Sequence, residues 1–336
     1  MLVGRKKEQK QLLDYYHADR SDFVAVYGRR RVGKTFLVRE VFADKFFFFY
    51  TGTTKIRTTA QNLERFGDAL NQYGMPAGEV PVSWMKAFDL LRDRIKASRN
   101  KGKKVIFIDE MPWLDLPKSG FLAALEYFWN SFASARKDIL LIACGSASSW
   151  ITKKLLRDHG GLHNRVTGRI HLRPLTLNEC EVYLAAKGAG LSRYDLIESS
   201  MVFGGIPYYL DYFDSRYSLA ANIDRIVFNE DAPLRDEFNE MYASLFKNSD
   251  DYIRVVRALG DKKKGLTRKE IVETSGLSNG GMLSDILENL ELSGFIRSYY
   301  AYPQKTNGAL YQLIDSFSLF DCAFLYPARP TNRHFW

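Results

Sequence analysis

The chain has 336 residues, of which 46% are hydrophobic and 26% charged, a composition typical of a folded globular protein and not of a disordered or fibrous one. At roughly 100–200 residues per domain, this length predicts two or three domains. No apolar run approaches the ~20 residues of a membrane-spanning helix. The net charge of +9, from 48 Lys and Arg against 39 Asp and Glu, raises nucleic acid as a partner.

The N-terminus and the cysteines both predict a cytoplasmic protein. Residues 1–5 become charged at once, which is not the pattern of a signal peptide. The three cysteines, Cys144, Cys180 and Cys322, lie far apart and form no C-x-x-C pair. This spacing argues against a disulfide framework or a zinc site and fits a reducing compartment.

The positive charge is concentrated in the first half of the chain. Residues 1–175 carry 31 Lys and Arg against 17 Asp and Glu, net +14. Residues 176–249 have a net charge of −6, and residues 250–336 have one of +1. These breaks predict domain boundaries near 175 and 250, and the opposite charges of the first two segments favour their association.

Short runs rich in β-branched and aromatic residues alternate with longer helical stretches in the first half. The alternation predicts an α/β fold with a mostly parallel, doubly wound sheet. The predicted strands are Phe23–Tyr27, Phe46–Tyr50, Lys104–Asp109, Ile139–Cys144 and Arg169–Leu172. The stretch Phe121–Ala135 is long enough to form a crossover helix.

The first predicted strand leads directly into a phosphate-binding motif. The motif G-x-x-x-x-G-K-[ST] is matched in full by Gly28-Arg29-Arg30-Arg31-Val32-Gly33-Lys34-Thr35. Glycines let the backbone N–H groups wrap a phosphate, and the helix starting near Phe36 adds the positive end of its dipole. We expect Lys34 to reach the β- and γ-phosphates of a nucleotide and the Thr35 hydroxyl to bind Mg²⁺.

Two carboxylates follow the third predicted strand. The apolar run Val105–Ile108 delivers Asp109 and Glu110 to the carboxyl end of a buried strand, where ligands bind in open α/β sheets. We expect Asp109 to share Mg²⁺ with Thr35, and Glu110 to orient and deprotonate the attacking water. A glutamate here favours hydrolysis over mere binding. Ser146, at the end of the next strand, is placed to contact the γ-phosphate or the water.

The arginines near this site have two interpretations. Arg29, Arg30 and Arg31 contribute backbone to the loop, while their side chains can point toward another domain. Arg165 and Arg169 lie near the start of the fifth strand, where a guanidinium could stabilise charge in the transition state. A solvated basic loop is an equal alternative for these two residues.

The second half of the chain is predicted to be mainly helical. Helical patterns occupy Leu177–Lys187, Tyr194–Phe203, Leu219–Phe228 and Leu234–Phe246. Three further helices are predicted at Tyr252–Leu259, Arg268–Ser275 and Met282–Ser293. A hairpin follows, with strands at Ile296–Tyr302 and Ala309–Ile314. The turn of the hairpin is placed at residues 306–308, where Asn-Gly is a strong turn signal.

With these motifs in place, the chain resembles the prokaryotic STAND-type P-loop ATPases, AAA+-related proteins often called the archaeal ATPase family. The segment containing Val3, Gly4 and Arg5 is similar to the family's F-x-G-R-x-x-E box, which packs near the adenine. Residues 168–175 resemble its G-R…L-x-P-L segment. Residues 204–210 resemble the G-G-x-P-x-Y-L of its helical lid, which implies that Pro207 lies near the nucleotide.

The resemblance implies ATP as the nucleotide and a parallel sheet in the strand order 5-1-4-3-2. It also implies a P-loop ATPase core at residues 1–175, a helical lid at 176–249 and a winged helix-turn-helix at 250–314. Residues 315–336 are then a C-terminal extension or the start of a truncated domain. Histidine gating of the nucleotide is not implied, because the Met-His-Asp signature of the apoptotic branch is missing from the winged region.

The sequence leaves three functions to compare. The favoured one is a Mg²⁺-dependent ATPase with slow, regulatory hydrolysis, in which the core, lid and winged helix form a conformational switch that acts on a protein partner or effector domain. The alternative is a nucleotide-regulated DNA-binding or transcription-type protein with the winged helix as its output. The third is a nucleotide-binding scaffold with negligible hydrolysis.

The charge of the winged region gives opposite indications on DNA. The candidate recognition helix, Met282–Leu292, has three acidic residues and no basic one, which opposes attraction to phosphates. A basic cluster precedes it, consisting of Lys262, Lys263, Lys264, Arg268 and Lys269. We therefore favour a structural or protein-binding role for this region over sequence-specific DNA binding.

Overall fold

The chain divides into two compact units in the computed structural model. One comprises Met1–Gly28 and Gly33–Leu172, and the other comprises Arg29–Val32 and Arg173–Trp336. The structure describes residues 2–53, 56, 58–74, 80–146, 148–156, 162, 164–300, 308–328 and 336. The chain therefore enters the second unit for four residues inside the phosphate-loop motif and then returns to the first.

A five-stranded parallel sheet forms the centre of the first unit, in the order β2-β3-β4-β1-β5. The strands are β1 (Asp22–Tyr27), β2 (Phe46–Thr51), β3 (Lys104–Asp109), β4 (Ile139–Gly145) and β5 (Gly168–His171). Each lies within one residue of its predicted bounds. The observed order is the predicted 5-1-4-3-2 read from the other edge, so the predicted fold class is confirmed.

Helices accompany this sheet. They are α1 (Lys6–His17), α2 (Lys34–Phe42), α3 (Thr59–Gln72), α4 (Trp84–Ala97), α5 (Phe121–Phe128) and the short α6 (Ser148–Trp150). Every residue of β3 and β4 is buried, as expected of central parallel strands covered on both faces. The edge strand β5 alternates buried and exposed residues instead.

The predicted helix Phe121–Ala135 is interrupted. Its α-helical part ends at Phe128, and the chain continues as a π-helical turn over Trp129–Ala133. The N–H of Ser134 donates to the carbonyl of Trp129, so this turn contains one more residue than an α-helical one. Trp129 is buried with its ring 5.2 Å from that of Phe23.

The second unit is mainly helical. Its helices are α7 (Leu177–Ala186), α8 (Arg193–Phe203), α9 (Pro207–Leu210), α10 (Leu219–Ile223), α11 (Glu237–Leu245), α12 (Ser249–Gly260), α13 (Arg268–Ser275), α14 (Gly281–Leu292), α15 (Ser316–Phe320) and α16 (Tyr326–Ala328). The helix predicted from Leu234 begins only at Glu237. Leu234 instead donates its N–H to the carbonyl of Ile226 and belongs to the preceding turn.

A three-stranded antiparallel sheet lies in the same unit, in the order β6-β8-β7. Its strands are β6 (Leu266–Thr267), β7 (Ile296–Tyr299) and β8 (Leu310–Leu313). The predicted hairpin corresponds to β7 and β8, while β6 was not predicted. Residues 306 and 307 of the predicted turn lie outside the described residues. The division of this unit into a lid, a winged helix and an extension stays a prediction.

The described residues after Leu313 pack within the second unit. Asp315 caps α15 by accepting the N–H of Ser318 at 2.9 Å. Phe317 is buried, with its ring 5.0 Å from that of Tyr209. In the described parts of the chain, no helix combines the length and apolarity needed to cross a bilayer.

Candidate active site

The phosphate-loop motif begins at a position that only glycine can occupy. Gly28 has a φ of +148°, and a Cβ there would lie 2.1 Å from the carbonyl oxygen of Leu172. The chain is this close because the N–H of Leu172 donates to the carbonyl of Tyr27 at 2.7 Å. Gly33, with a φ of +88°, is the N-cap residue of α2. Both glycines of the motif therefore have backbone conformations with positive φ that residues with a side chain rarely adopt.

Lys34, the first residue of α2, is a buried cation held inside the site. Its side-chain Nζ donates to the carbonyl of Gly28 at 3.0 Å and to the Oγ of Ser146 at 3.3 Å. A buried ammonium requires such partners, because desolvation is costly for a charge. Its position at a helix N-terminus, where N–H groups lack intrahelical partners, creates a concentration of positive potential suited to an anion.

Thr35 and Asp109 form the next contact. The Thr35 hydroxyl donates to Oδ2 of Asp109 at 2.7 Å, and the Glu110 N–H donates to Oδ1 at 2.9 Å. Burial, and secondarily the charge of Glu110, raise the pKa of Asp109. A bound cation would act in the opposite direction. A hydroxyl and a carboxylate are the oxygen donors that Mg²⁺ accepts beside phosphates, so this pair fits the metal.

Glu110 is held in an uncommon backbone conformation. Its φ is +46°, a left-handed value that costs a non-glycine residue about 1–2 kcal/mol. Its carboxylate accepts two hydrogen bonds from Ser146, from Oγ at 2.5 Å and from the backbone N–H at 3.2 Å. Such strain is concentrated at functional sites in proteins, and here it directs Glu110 toward the end of β4.

Two glycines that were not assigned a role permit this close arrangement of strand ends. A Cβ on Gly52, which follows β2, would lie 2.6 Å from the carbonyl oxygen of Glu110. A Cβ on Gly145 would lie 2.7 Å from Cδ of Pro112. The sequence indicates Gly52 only as a glycine directly after an aromatic strand. It does not show that the carbonyl of Glu110 approaches this position.

The loop arginines bind acidic residues of the second unit, to which residues 29–32 belong. Arg29 is buried and forms an ion pair with Asp315. Arg31 pairs with Glu237, and its guanidinium lies 4.3 Å from the ring centroid of Tyr208. Neither acidic residue was predicted as part of the site. Asp315 was recognisable from sequence only as a residue type suited to a helix N-cap.

The remaining predicted residues are not part of the hydrogen-bonded set around Lys34 and Glu110. Arg165 and Arg169 are exposed, and within the described ranges no hydrogen bond or ion pair joins either one to Lys34, Glu110 or Ser146. The other predicted positions in the first unit are Val3 and Gly4 before α1, Arg5 at its N-cap and the half-exposed Phe36 on α2. In the second unit, Pro207 begins α9, Val32 is buried and Arg30 is partly buried.

The structure therefore brings together five of the seven residues that were predicted to act in catalysis or metal binding, and not Arg165 or Arg169. The five are Lys34, Thr35, Asp109, Glu110 and Ser146. A glycine loop between β1 and a helix, with a carboxylate pair at the end of β3 and β4 lying between these two strands, defines a P-loop nucleotide-binding protein.

Comparison with known proteins identifies the family. Residues 2–213 match a family described as an ATPase domain predominantly from Archaea, and the chain belongs to that family. An uncharacterized protein of Methanocaldococcus jannaschii is 24% identical over 329 residues, which cover 97% of this chain and 69% of the relative. The predicted resemblance to archaeal ATPases is confirmed.

Solved structures share the fold. The Walker-type ATPase of Pyrococcus abyssi superimposes with a TM-score of 0.64 at 15% identity, over 96% of each chain. The ORC2 protein of Aeropyrum pernix, in a structure with ADPNP and ADP, gives a TM-score of 0.56 at 14% identity and covers 98% of this chain and 94% of that one. At these identities, the likeness extends to the fold alone.

Proposed function

We propose that this protein binds ATP with Mg²⁺ at the phosphate loop and hydrolyses it to ADP and phosphate. The observation that carries the proposal is the continuous set of hydrogen bonds through Lys34, Ser146 and Glu110, beside the Thr35–Asp109 pair. A cation for phosphate, oxygen donors for a metal and a carboxylate base lie together at the carboxyl edge of one sheet. This combination is what phosphoryl transfer to water requires.

Each residue has a distinct part in the proposed reaction. The backbone of residues 28–35 and the Lys34 ammonium hold the phosphates. Thr35 and Asp109 would hold Mg²⁺, which neutralises negative charge on the phosphates when bound. Glu110 accepts the proton of the attacking water, and Ser146 fixes the orientation of its carboxylate.

Further proposed contacts come from residues outside this hydrogen-bonded set. Either Arg165 or Arg169 supplies positive charge to the transition state, in the same chain or from a second copy. Val3, Gly4, Arg5 and Phe36 contribute to the nucleotide-binding surface, with Val3–Arg5 on the adenine side. Pro207, at the start of α9, is a further proposed nucleotide contact. The support for Val3–Arg5, Arg169 and Pro207 is their position in segments that resemble motifs of the family. The support for Arg165 and Phe36 is their place before the fifth strand and directly after the phosphate loop.

We further propose that the bound nucleotide controls a conformational switch among the core, the lid and the winged helix. Slow hydrolysis would set how long the ATP-bound state lasts. The switch would act on a protein partner or an effector domain. The net charges of +14 for residues 1–175 and −6 for residues 176–249 favour association of these segments. Loss of the γ-phosphate would weaken the state that ATP favours.

DNA regulation is the second candidate, supported by one observation. Lys262, Lys263 and Lys264 are exposed beside the antiparallel sheet. However, the exposed positions of α14 include Asp285 and Glu288, whose charges repel phosphates. We therefore favour the conformational switch over the DNA-binding function.

A single-turnover assay tests the proposed function. Protein in excess of radiolabelled ATP should release labelled phosphate with Mg²⁺ present, and release should stop when EDTA removes the metal. Tight Mg-ATP binding without phosphate release would support the scaffold function instead. Absence of both binding and release would refute the proposal.

A further inference from the structure

Two ion pairs, one buried and one partly buried, connect the middle of the phosphate-loop motif to acidic residues far away in the sequence. Arg29 pairs with Asp315, and the two side chains are 5% and 2% exposed. Arg31 pairs with Glu237, and the two side chains are 17% and 1% exposed. Buried ion pairs are very sensitive to the loss of one partner, because the other charge is then buried without compensation.

Asp315 is held in place by its own network. Its Oδ1 accepts from Arg29, while its Oδ2 accepts from the Ser318 N–H at 2.9 Å and from the Ser318 hydroxyl at 2.7 Å. The Ser318 hydroxyl also lies 3.0 Å from the hydroxyl of buried Tyr242. One carboxylate therefore starts the helix α15 and fixes Arg29 at the same time.

Glu237 holds the second arginine in a similar way. Its Oε1 accepts from the hydroxyl of Tyr209 at 2.7 Å, and its Oε2 accepts from Arg31. Arg31 has a φ of +68°, a left-handed conformation that non-glycine residues avoid. The ion pair and the contact with Tyr208 offset the cost of this backbone conformation.

We propose that Asp315 and Glu237 are positioning residues that set the nucleotide affinity of the phosphate loop by fixing Arg29 and Arg31. This inference rests on the proposed function. Phosphate binding needs the loop backbone in one conformation, and two of the four residues between its glycines form ion pairs with these carboxylates. Neutralising either acid should let the loop leave that conformation.

The coupling must act in both directions. If Asp315 improves nucleotide binding, then nucleotide binding must stabilise the conformation in which Asp315 holds Arg29, by the same free energy. Helix α15 begins at this residue, so a partner that displaces α15 would lower the affinity for nucleotide.

The test compares two isosteric substitutions in the same C-terminal segment. Asp315→Asn removes the charge facing Arg29, while asparagine caps a helix about as well as aspartate. Asp321→Asn is the matched control, because Asp321 is also buried and ion-paired, but with Arg257 and not with the loop. Glu237→Gln is the second test variant, and its amide oxygen can still accept from Tyr209.

The dissociation constant for Mg-ATP and the Tm are measured for every variant. We expect Asp315→Asn and Glu237→Gln to weaken Mg-ATP binding about tenfold or more, with kcat changed less than about threefold, because Glu110 and Ser146 are untouched. Asp321→Asn should bind like the wild type at a comparable loss of Tm. Asp315→Glu, which keeps the charge, should recover part of the affinity.

Two further results decide the question. In hydrogen exchange, Mg-ATP should slow the amides of Ser316–Leu325 in the wild type and not in Asp315→Asn. Equal affinities for Asp315→Asn and Asp321→Asn would overturn the positioning role while the proposed ATP binding stands. If the wild type and Asp321→Asn also fail to bind Mg-ATP, the proposed function is wrong and the positioning role falls with it.

Discussion

Ser146 and Glu110 are joined by two hydrogen bonds, one from the serine hydroxyl and one from its backbone N–H to the two carboxylate oxygens. The same hydroxyl accepts from Lys34 at 3.3 Å. The proposed phosphate-binding cation and the proposed base are therefore linked through one serine at the end of β4. A change at the phosphates can reach the base through this short connection.

The first prediction concerns the base. Glu110→Gln should keep the affinity for Mg-ATP within about threefold and lower the single-turnover rate by about 100-fold or more, since an amide cannot accept the proton of the attacking water. Rapid-quench measurement of phosphate release tests this. Glu64→Gln makes the same chemical change at an exposed position of α3 and should have no effect. Undiminished hydrolysis by Glu110→Gln would exclude the assigned base.

The second prediction concerns the phosphate contact. Lys34→Ala should weaken Mg-ATP binding by about 100-fold or more, because it removes a buried charge that can approach the phosphates. Titration calorimetry measures the affinity, and circular dichroism checks that the chain is folded. Lys10→Ala, at an exposed position of α1, is the control. Binding by folded Lys34→Ala at near wild-type affinity would contradict the placement of the nucleotide.

The third prediction uses the raised pKa of Asp109. An acid whose pKa is higher in the folded chain than in the unfolded chain opposes folding once it is ionised. Its contribution to stability is present below the unfolded pKa and lost as the pH rises through the folded pKa. Asp109→Asn should therefore raise the Tm of the ligand-free protein at pH 7, by about 2 °C or more.

The dependence on pH and Mg²⁺ shows whether the higher Tm of Asp109→Asn comes from removing the buried charge or from an unrelated gain in stability. The Tm advantage of Asp109→Asn should shrink as the pH falls through the folded pKa and vanish below the unfolded pKa of about 4, where the aspartate is protonated in both states. The variant should also lose most of the stabilisation that Mg-ATP gives the wild type. Scanning calorimetry across this pH range measures both. If Asp109→Asn had a lower Tm than the wild type at pH 7, the ionised Asp109 carboxylate would not destabilise the fold as proposed.

The fourth prediction concerns the start of the loop. Gly28→Ala should prevent Mg-ATP binding and lower the Tm strongly, because its Cβ would fall 2.1 Å from the Leu172 carbonyl oxygen. Gly120→Ala is the matched control, since Gly120 also has a positive φ, +73°, but has nothing within 4 Å of its Cβ position. That control should lose only about 1–2 kcal/mol of stability and bind Mg-ATP normally. Similar losses in both variants would show that φ, and not the clash, dominates at Gly28.

The fifth prediction concerns DNA. The protein should bind duplex DNA only weakly at physiological salt, and joint substitution of Lys262, Lys263 and Lys264 by alanine should change this binding little. Fluorescence anisotropy with a labelled duplex across a salt series tests the prediction, since each phosphate contact adds to the salt dependence. Tight, salt-sensitive binding that is lost in the triple variant would favour the DNA function over the switch.

Local patterns were sufficient to predict much of the first unit. The strands are short apolar runs with polar ends, and the phosphate loop is a contiguous motif, so each can be read from neighbouring residues. The same holds for α13, whose observed bounds match the prediction. Asp109 and Glu110 could be placed beside the loop because parallel strands present their carboxyl ends at one edge.

Contacts between distant residues could not be predicted in this way. Arg29 and its partner Asp315 are 286 positions apart, and nothing near either residue indicates the other. The close approach of Gly52 to Glu110 depends on the register between β2 and β3, which the single sequence does not contain. The π-helical turn at Trp129–Ala133 depends on how tertiary packing accommodates an extra residue.

The Arg29–Asp315 pair also restricts how the gene for this chain can recombine with a related gene. A crossover anywhere between codons 29 and 315 would join an arginine from one parent to whatever residue the other parent carries at its partner position. Where that residue is neutral, the hybrid inherits a buried guanidinium without its acid. The two segments of the coding sequence would then have to be inherited together, although one encodes the phosphate loop and the other the start of α15.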